Sequence, residues 1–485
     1  MDDYGSPRLL DLGVGTYVFV RTHRQRLKEP FVAFVVLGLL FGILFSFIMP
    51  PFFALDESVH FNHAYQVSGG HLLPQKLSYR YYGGYVTEHV DDTVLQSLTH
   101  RSDQPGFRTG YRDNFNDYAK LRTRKKVWSI FNSTAVYPPV PYVPQATGIF
   151  AGRVLHLPTV WLMYLGRLTN LVVWVVLVAL AVRLLPFGKW ALVVVALLPT
   201  SVVQASSLSA DALTTALAFL AAAYVLRLAC RPARIDRRQF MLVGLLMLLL
   251  SLTKQTYACF VLLIFALPVA RFRTSKTYWT RTLALVLVCL VPAAVWTLAV
   301  RHIDIMLPVL PNHPPIDMVA QLKGILLQPY YFGYAVWSTY LTGRADITAS
   351  TFIGQFGRIY DLHLPLLVVA AAYGLLATVF LADERVPAVR DRRRLRTVFA
   401  AVLVLSVIVL TTILYLTYTT LKGHFVDGLQ ARYFLPLMVL LIPLAKLRRH
   451  KVLHIQTYPT LYLAGSSALL ILSTGMMIHR FYTGF

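Results

Sequence analysis

The sequence has few charged residues and, among them, few acidic ones. Only 14% of its 485 residues are charged, with 22 acidic residues against 46 lysines and arginines. Ordinary globular domains carry about 25% charged residues, so this composition excludes a typical soluble domain. The formal net charge of +24 would favour a nucleic-acid partner in a soluble protein. Here the basic clusters lie between apolar runs, where they report membrane topology, and no basic surface is left for nucleic acid.

Cysteine is also scarce, and the common nucleotide and metal signatures are missing. The three cysteines, Cys230, Cys259 and Cys289, lie in or beside apolar segments. We expect them to be small core residues, neither disulfides nor metal ligands. The sequence contains no GxxxxGKS/T loop, no GxGxxG fingerprint and no HExxH motif, which argues against chemistry driven by ATP or NAD and against a zinc hydrolase.

Long apolar runs dominate the remainder, since 56% of the residues are hydrophobic. Several runs approach or exceed the roughly 18–20 residues that cross a bilayer, and they predict an all-α polytopic integral membrane protein. The runs are 31–49, 161–185, 210–228, 283–300, 364–381, 398–416 and 458–478. Lysine and arginine favour cytoplasmic loops. All five basic clusters can be placed on that side if the N-terminus is cytoplasmic: 21–28, 231–238, 271–281, 390–396 and 446–451.

The predicted organisation is a cytoplasmic leader over 1–30 and one transmembrane domain over 31–485. Two external loops, 50–139 and 301–363, interrupt the domain. The segment 142–157 contains proline, glycine and arginine, and we expect a re-entrant or interfacial helix there. About 11 transmembrane helices remain, which place the C-terminus outside: 31–49, 161–184, 190–206, 210–229, 240–252, 257–270, 282–300, 364–382, 398–416, 433–446 and 458–479.

Two adjacent carboxylates, Asp56 and Glu57, follow the first span at the start of the long external loop. Ionisable groups at the mouth of a span are costly and are therefore functional candidates. We expect one carboxylate to act as a general base on an acceptor hydroxyl; the alternative is a pair that only stabilises a helix N-terminus. His60 and His63 share a face with Asp56 on a helix predicted over 56–68. His60 is expected to orient the carboxylate, and a metal ion held by Asp56, His60 and His63 is the weaker alternative.

Three basic residues are candidates for holding a phosphate. Lys254 lies in an apolar stretch, so it is expected to bind a lipid phosphate or to pair with an acidic group such as Asp211. Arg432 lies where an external loop becomes a span, and its guanidinium suits a phosphate; the alternative is a headgroup anchor. Arg167 lies inside a span and also needs a polar partner.

Four further residues are candidates for contacting the substrate. Tyr137 begins the rigid segment YPPVPY at the return of the chain to the membrane, where it lines a sugar site or fixes a turn. Asp211 lies at an external turn between two spans, where the alternative is a helix cap. The others are His63 and Tyr433, which follows Arg432 in the aromatic belt.

Six segments resemble a family of bacterial polytopic membrane proteins grouped with the GT-C glycosyltransferases. They are spread over roughly 31–445, so the resemblance covers most of the chain. Members of the family often have proline where this chain has Ser58, but the Asp-Glu-x-x-His pattern is intact. The segments are PPFFALDESVHFNHAYQVSGG (50–70), YPPVPYVPQATGIFAGR (137–153), GRLTN (166–170), LLPTSVVQASSLSADALT (197–214), LTKQTY (252–257) and QARYFLPL (430–437).

The resemblance implies a GT-C fold and transfer of a sugar from a polyprenyl-phosphate carrier to an acceptor hydroxyl, usually with inversion. The reaction is expected on the outer face of the bacterial cytoplasmic membrane. Asp56 matches the general base, and Lys254 and Arg432 match the groups that hold the carrier phosphate. The implied partners are the lipid-linked sugar donor, membrane lipids and a glycan, lipid or protein acceptor in cell-envelope polysaccharide biosynthesis. No cofactor is required, with a divalent cation as the open alternative.

Two other functions fit part of the pattern. A transporter or flippase of lipid-linked sugars would explain the spans and Lys254, but not the carboxylates at the root of a long loop. A transporter would also be expected to have two related halves, and no internal repeat is visible. A polymerase of lipid-linked sugars would share the compartment and substrates, but it would favour external loops dominated by arginine.

Overall fold

The computed structural model describes residues 28–482, apart from 79–80, 100–108, 116–124, 306–315, 343–347, 358–361, 363, 383, 385, 388, 390 and 448–457. Most of the predicted cytoplasmic leader, 1–27, therefore lies outside the described residues. The described chain is mostly helical, as predicted, with one small sheet.

In the part of the chain that the structure describes, six helices are long and apolar enough to cross a membrane, which agrees with the predicted membrane protein. Their cores have no more than two charged residues in the most apolar 18-residue window. Numbered with all α-helices in chain order, they are α1 (Pro30–Ile48), α6 (Thr159–Leu184), α9 (Ala210–Cys230), α11 (Ser275–Val300), α16 (Arg392–Thr417) and α18 (Pro459–Phe481).

The other helices are shorter, and the predicted count of about 11 spans is not confirmed among the described residues. The predicted span 190–206 consists of two helices divided before Pro199, a residue suited to a first helical turn. The shorter helices are α2 (Glu57–Ser68), α3 (Glu88–Thr99), α4 (Asn132–Ala135), α5 (Val143–Val154), α7 (Lys189–Ala196), α8 (Pro199–Ala205), α10 (Arg237–Ser251), α12 (Met318–Leu327), α13 (Pro329–Leu341), α14 (Ala349–Ile353), α15 (Leu366–Leu381) and α17 (Met438–Lys446).

Within the described ranges, five stretches form 3-10 helices, and two predicted site residues lie at or directly before the starts of two of them. Lys254 directly precedes the stretch Gln255–Ala266, and Arg432 lies in Ala431–Leu437. The first takes the place of the predicted span 257–270, and the second forms the beginning of the predicted span 433–446, which continues as α17. The others are Tyr111–Phe115, Val140–Tyr142 and Val269–Arg271.

The helix predicted over 56–68 is confirmed as α2. It ends at two glycines, the second of which, Gly70, has a φ of +81° that other residues rarely adopt. The segment predicted as a partial helix over 142–157 is α5, whose 12 residues rise about 18 Å and do not reach across a bilayer core of about 30 Å.

A three-stranded antiparallel sheet, which the sequence did not predict, lies on α2. Its strands are β1 (Gln75–Lys76), β2 (Tyr82–Thr87) and β3 (Lys126–Ile130), in the order β1-β2-β3. Gln66 of α2 donates from Nε2 to the Tyr85 carbonyl at 2.6 Å. The close approach requires glycine at position 84, because a Cβ there would lie 2.4 Å from the Gln66 side chain. The described part of the segment 50–139 therefore packs around α2.

Helix α9 lies at the centre of the molecule, and α11 lies at its edge. In their apolar windows, 83% of α9 is buried but only 22% of α11. The many alanines of α9 allow neighbouring helices such as α6 to approach closely. Asp211, in the first turn of α9, is consequently held in the protein interior.

Candidate active site

Asp56 lies in a strained turn between α1 and α2. Phe52 and Asp56 both adopt the left-handed backbone conformation, with φ values of 59° and 60°. Aspartate tolerates this conformation, but a bulky aromatic residue rarely adopts it. Such strain persists only where the surrounding structure enforces it, and it is common at functional sites. The turn leaves 44% of the Asp56 side chain exposed, whereas that of Glu57 is fully buried.

A buried ion pair between Glu57 and Arg167 holds this turn. Arg167 donates from Nε and Nη2 to the two carboxylate oxygens at 2.7 and 2.5 Å, and neither side chain is exposed. The Leu208 N–H also donates to Glu57, at 3.0 Å. Arg167 makes further hydrogen bonds of 2.7–2.9 Å to carbonyl oxygens at the end of α1, those of Ser46, Met49 and Pro50. The structure thus places Glu57 and Arg167 against each other and away from solvent.

Arg432 lies between two carboxylates from distant parts of the chain. Its Nη2 donates to Asp56 Oδ2 at 3.0 Å, and its Nε lies 3.2 Å from Asp211 Oδ2. The Arg432 side chain is only 2% exposed. The structure therefore brings together Asp56, Asp211 and Arg432, which the sequence identified as three separate candidates.

Lys254 completes a cluster of four charged side chains. Its ammonium group donates to Asp211 Oδ1, so the pairing considered as one alternative from the sequence is confirmed. The same group lies 4.4 Å from the ring centre of Tyr433 and 5.0 Å from that of Tyr137. Cation–π contacts of this kind strengthen where water is excluded. We call Asp56, Asp211, Lys254 and Arg432 the charged cluster.

The charged cluster retains unused hydrogen-bonding capacity. Among the described residues, Arg432 Nη1 is buried and has no hydrogen-bond partner, while Nε contacts the Asp211 carboxylate without the geometry of a hydrogen bond. Two nearby groups share this property, Gln430 Oε1 and Thr256 Oγ1. Buried polar atoms are nearly always paired, so these atoms call for an explanation. Guanidinium N–H groups are donors only, and an oxyanion is the ligand that suits them.

Two histidines of α2 lie behind the charged cluster and are uncharged at neutral pH. Burial lowers the pKa of His60 to about 4 and that of His63 to about 3. His60 Nδ1 lies 2.8 Å from the Tyr142 hydroxyl, and its ring stacks on Tyr137. His63 donates from Nδ1 to the Thr134 carbonyl at 2.9 Å. His60 therefore acts as a neutral neighbour of Asp56, and His63 contacts protein groups.

These histidines predict acid sensitivity of the fold. The unfolded chain binds protons at both residues near pH 6.5, whereas the folded protein does not. The stability that they contribute is therefore complete above about pH 6.5 and falls as the pH drops toward 4. The apparent melting temperature should decrease over this range, and less steeply in His63→Gln. Replacement of the exposed His71 by Gln is the control. Equal slopes in wild type and His63→Gln would contradict this prediction.

A cavity of about 580 Å³ adjoins the charged cluster. This volume is typical of small-molecule sites. Lys254, Tyr137 and Tyr433 belong to both the cavity wall and the surroundings of the cluster. Apolar side chains line the cavity along α11 and α16, among them Val300, Leu410, Ile413 and Leu414. Polar groups lie elsewhere on its wall, at Lys76, Arg301, His302 and Asp304.

The described residues do not bring together the ligands of the alternative metal site. In the described ranges, no three His, Cys, Asp or Glu side chains stand close enough together to hold a metal ion. The alternative of a metal held by Asp56, His60 and His63 is therefore not supported by the geometry.

Sequence reasoning missed two aromatic residues of the site. Tyr142 lies between the rings of His60 and His63. Tyr142 ends the segment YPPVPY, which Tyr137 begins, and the rings of both tyrosines lie beside His60. The second tyrosine of that segment was therefore the signal in the sequence. Tyr418 lines the cavity just after α16, and no local signal marked it.

Comparison with known proteins identifies the family. The family described as "Predicted membrane protein (DUF2142)" matches residues 39–441. The chain belongs to this family. The predicted resemblance to a family of polytopic membrane proteins is thereby confirmed. The matched region contains every predicted site residue, from Asp56 to Tyr433.

No curated protein matches the chain. Among solved structures, the chain is similar to ArnT from Cupriavidus metallidurans bound to undecaprenyl phosphate. The sequence identity is 13% and the TM-score is 0.38, with 93% of this chain and 71% of ArnT covered.

Proposed function

We propose that the protein is a GT-C-type glycosyltransferase. It moves a sugar from a polyprenyl-phosphate carrier to an acceptor hydroxyl on the outer face of the cytoplasmic membrane, with inversion at the anomeric carbon. The observation that carries the proposal is the pairing of an exposed carboxylate, Asp56, with an arginine whose buried Nη1 has no hydrogen-bond partner. A base and an oxyanion site thus lie side by side.

The oxyanion site fits a carrier phosphate. Arg432 can offer the N–H groups of its free Nη1, and Lys254 pairs with the other carboxylate oxygen of Asp211. The charged cluster has two positive and two negative side chains, so unused donors rather than excess charge attract the ligand. The apolar wall of the adjoining cavity suits an isoprenoid chain, and its tyrosines suit a sugar ring.

The proposed chemistry uses Asp56 as a general base. The acceptor oxygen attacks the anomeric carbon, its proton passes to the Asp56 carboxylate, and the bond from the anomeric carbon to the phosphate oxygen breaks. Negative charge then develops on the leaving phosphate, where Arg432 and Lys254 stabilise it. Donors already aimed at the developing charge are usually the largest source of rate. The role of Glu57 and Arg167 is to hold the turn that presents Asp56.

The membrane face and the cofactor requirement belong to the same proposal. The basic clusters are placed in the cytoplasm, which puts Asp56 and the sheet outside. Arg432 and Lys254 supply the positive charge that a divalent cation provides in other transferases, so chelators should leave transfer unchanged.

Replacing Arg432 by Gln is expected to weaken binding of the carrier phosphate about 10- to 100-fold, because charged hydrogen bonds of about 1.5–3 kcal/mol are lost. Binding of a polyprenyl phosphate to the purified variant in detergent measures this. Arg112→Gln, at an exposed external position, is the matched control and should bind normally. Normal carrier binding by a folded Arg432→Gln protein would contradict the proposal that Arg432 binds the carrier phosphate.

A further inference from the structure

Two short helices in the segment 301–363 expose large apolar side chains and bury small or polar ones, the reverse of the arrangement in a water-soluble helix. Helices α12 and α13 form a hairpin around Gln328. Large apolar side chains cover their outer face, with exposures of 73% for Leu326, 79% for Leu327, 63% for Tyr330, 65% for Trp337 and 62% for Leu341. The buried side chains of the two helices are small or polar: Gln321, Ala335, Ser338 and Thr339.

The polar inner face is fully engaged with the rest of the protein. Gln321 Nε2 shares its two N–H groups among three carbonyl oxygens at and just after the end of α16, those of Tyr415, Thr419 and Thr420 at 3.0–3.3 Å. Its Oε1 accepts from the Lys422 N–H at 3.1 Å. On α13, Thr339 Oγ1 accepts from the Val426 N–H at 2.7 Å. The hairpin is thus fixed to α16 and to the segment that leads to Arg432.

The outer face continues the apolar surface of a span. Helix α12 packs against α16, whose own exposed residues include Val404, Leu405 and Ile408. Between 318 and 341 there is one charged residue, Lys323, and a surface this apolar is not stable in water. The helices have 10 and 13 residues, which rise about 15 and 20 Å and cannot cross a core of about 30 Å. Tyrosine and tryptophan are enriched at the boundary between lipid and water.

The hairpin lies on the side of the membrane that carries Asp56. It follows the end of α11, where Val300 and Ile303 pack with Tyr82 and Phe131 of the first external loop. Met318 and Ile316, at the start of the hairpin, line the same cavity as Lys254.

We propose that α12 and α13 form a non-spanning hairpin embedded in the leaflet on the Asp56 side, with membrane lipid as the partner of its outer face. The sequence predicted only an external loop over 301–363. It places one wall of the cavity within the leaflet. The proposal stands whether or not the protein transfers sugar.

Site-specific fluorescence in proteoliposomes tests the hairpin. Cysteine replaces Leu327, or Trp337 as a second position, in a background with Cys230, Cys259 and Cys289 changed to alanine. Leu73→Cys, 64% exposed in the first external loop, is the control. An environment-sensitive dye at 327 should be quenched by lipids that carry a nitroxide on the acyl chain and protected from iodide in the water. The dye at 73 should show the opposite pattern.

Two results would overturn the proposal. Iodide quenching at both 327 and 337 equal to that at 73 would place the hairpin in water. Protection from both iodide and the lipid quencher would mean that protein, such as a second copy of this chain, covers the face. Melting temperatures of all labelled variants close to that of the background protein establish that the readings come from the folded state.

Discussion

Replacing Asp56 by Asn is expected to lower the rate of sugar transfer by about 10²- to 10⁴-fold, because the amide cannot take the proton of the acceptor hydroxyl. The side chain keeps its size, and its oxygen still accepts from Arg432. The variant should therefore fold and bind the carrier. Steady-state transfer by the purified protein, with carrier binding measured in parallel, separates these effects.

Two variants make the result specific to Asp56. Asp92→Asn removes an exposed carboxylate on α3 in the same external loop and should leave transfer unchanged. Asp56→Glu keeps the base but moves it, so it should retain more activity than the Asn variant. Turnover by Asp56→Asn close to that of wild type would mean that another group takes the proton.

Replacing Glu57 by Gln is expected to destabilise the fold by about 3–5 kcal/mol, because it leaves the guanidinium of Arg167 buried without its counter-charge. Replacement of the two neighbouring carboxylates is therefore expected to have different effects. The Asp56 variant loses turnover, and the Glu57 variant loses stability. Denaturant or thermal unfolding in detergent measures the change.

The control for Glu57 is an exposed ion pair in the same loop. Lys125 and Glu88 lie 2.8 Å apart, with 69% and 29% of their side chains exposed. Solvent screens such a pair, so Glu88→Gln should hardly change the melting temperature. The double variant Glu57→Leu/Arg167→Met should recover part of the loss, since apolar pairs often replace buried ion pairs without cost. A Glu57→Gln protein as stable as wild type would show that the buried pair does not hold the turn.

Local patterns in the sequence predicted the local structure well. The long apolar runs correspond to α1, α6, α9, α11, α16 and α18, since length and hydropathy alone define a span. The spacing of Asp56, His60 and Ala64 predicted α2, and two glycines marked its end. The shorter apolar runs were predicted to be single spans. Hydropathy does not indicate the helix break before Pro199 or the 3-10 helices near Gln255 and Arg432.

The partners within the site depended on contacts that a single sequence does not reveal. Asp56 and Arg432 are 376 positions apart, and Glu57 and Arg167 are 110 apart. Placement inside a predicted span indicated that Arg167 would need a polar partner, but not that the partner is Glu57. The adjacent Asp56 and Glu57 looked alike in the sequence. Only the left-handed conformation of Asp56 sends one carboxylate toward solvent and the other into the core.

The most direct test of the proposed function is transfer of a labelled sugar from polyprenyl-phosphate donors by the purified protein in proteoliposomes, with Asp56→Asn in parallel. We expect a labelled acceptor product and released polyprenyl phosphate with wild type, with or without chelator, and neither with the variant. Movement of intact donor across the vesicle membrane without any product, or equal product from both proteins, would contradict it.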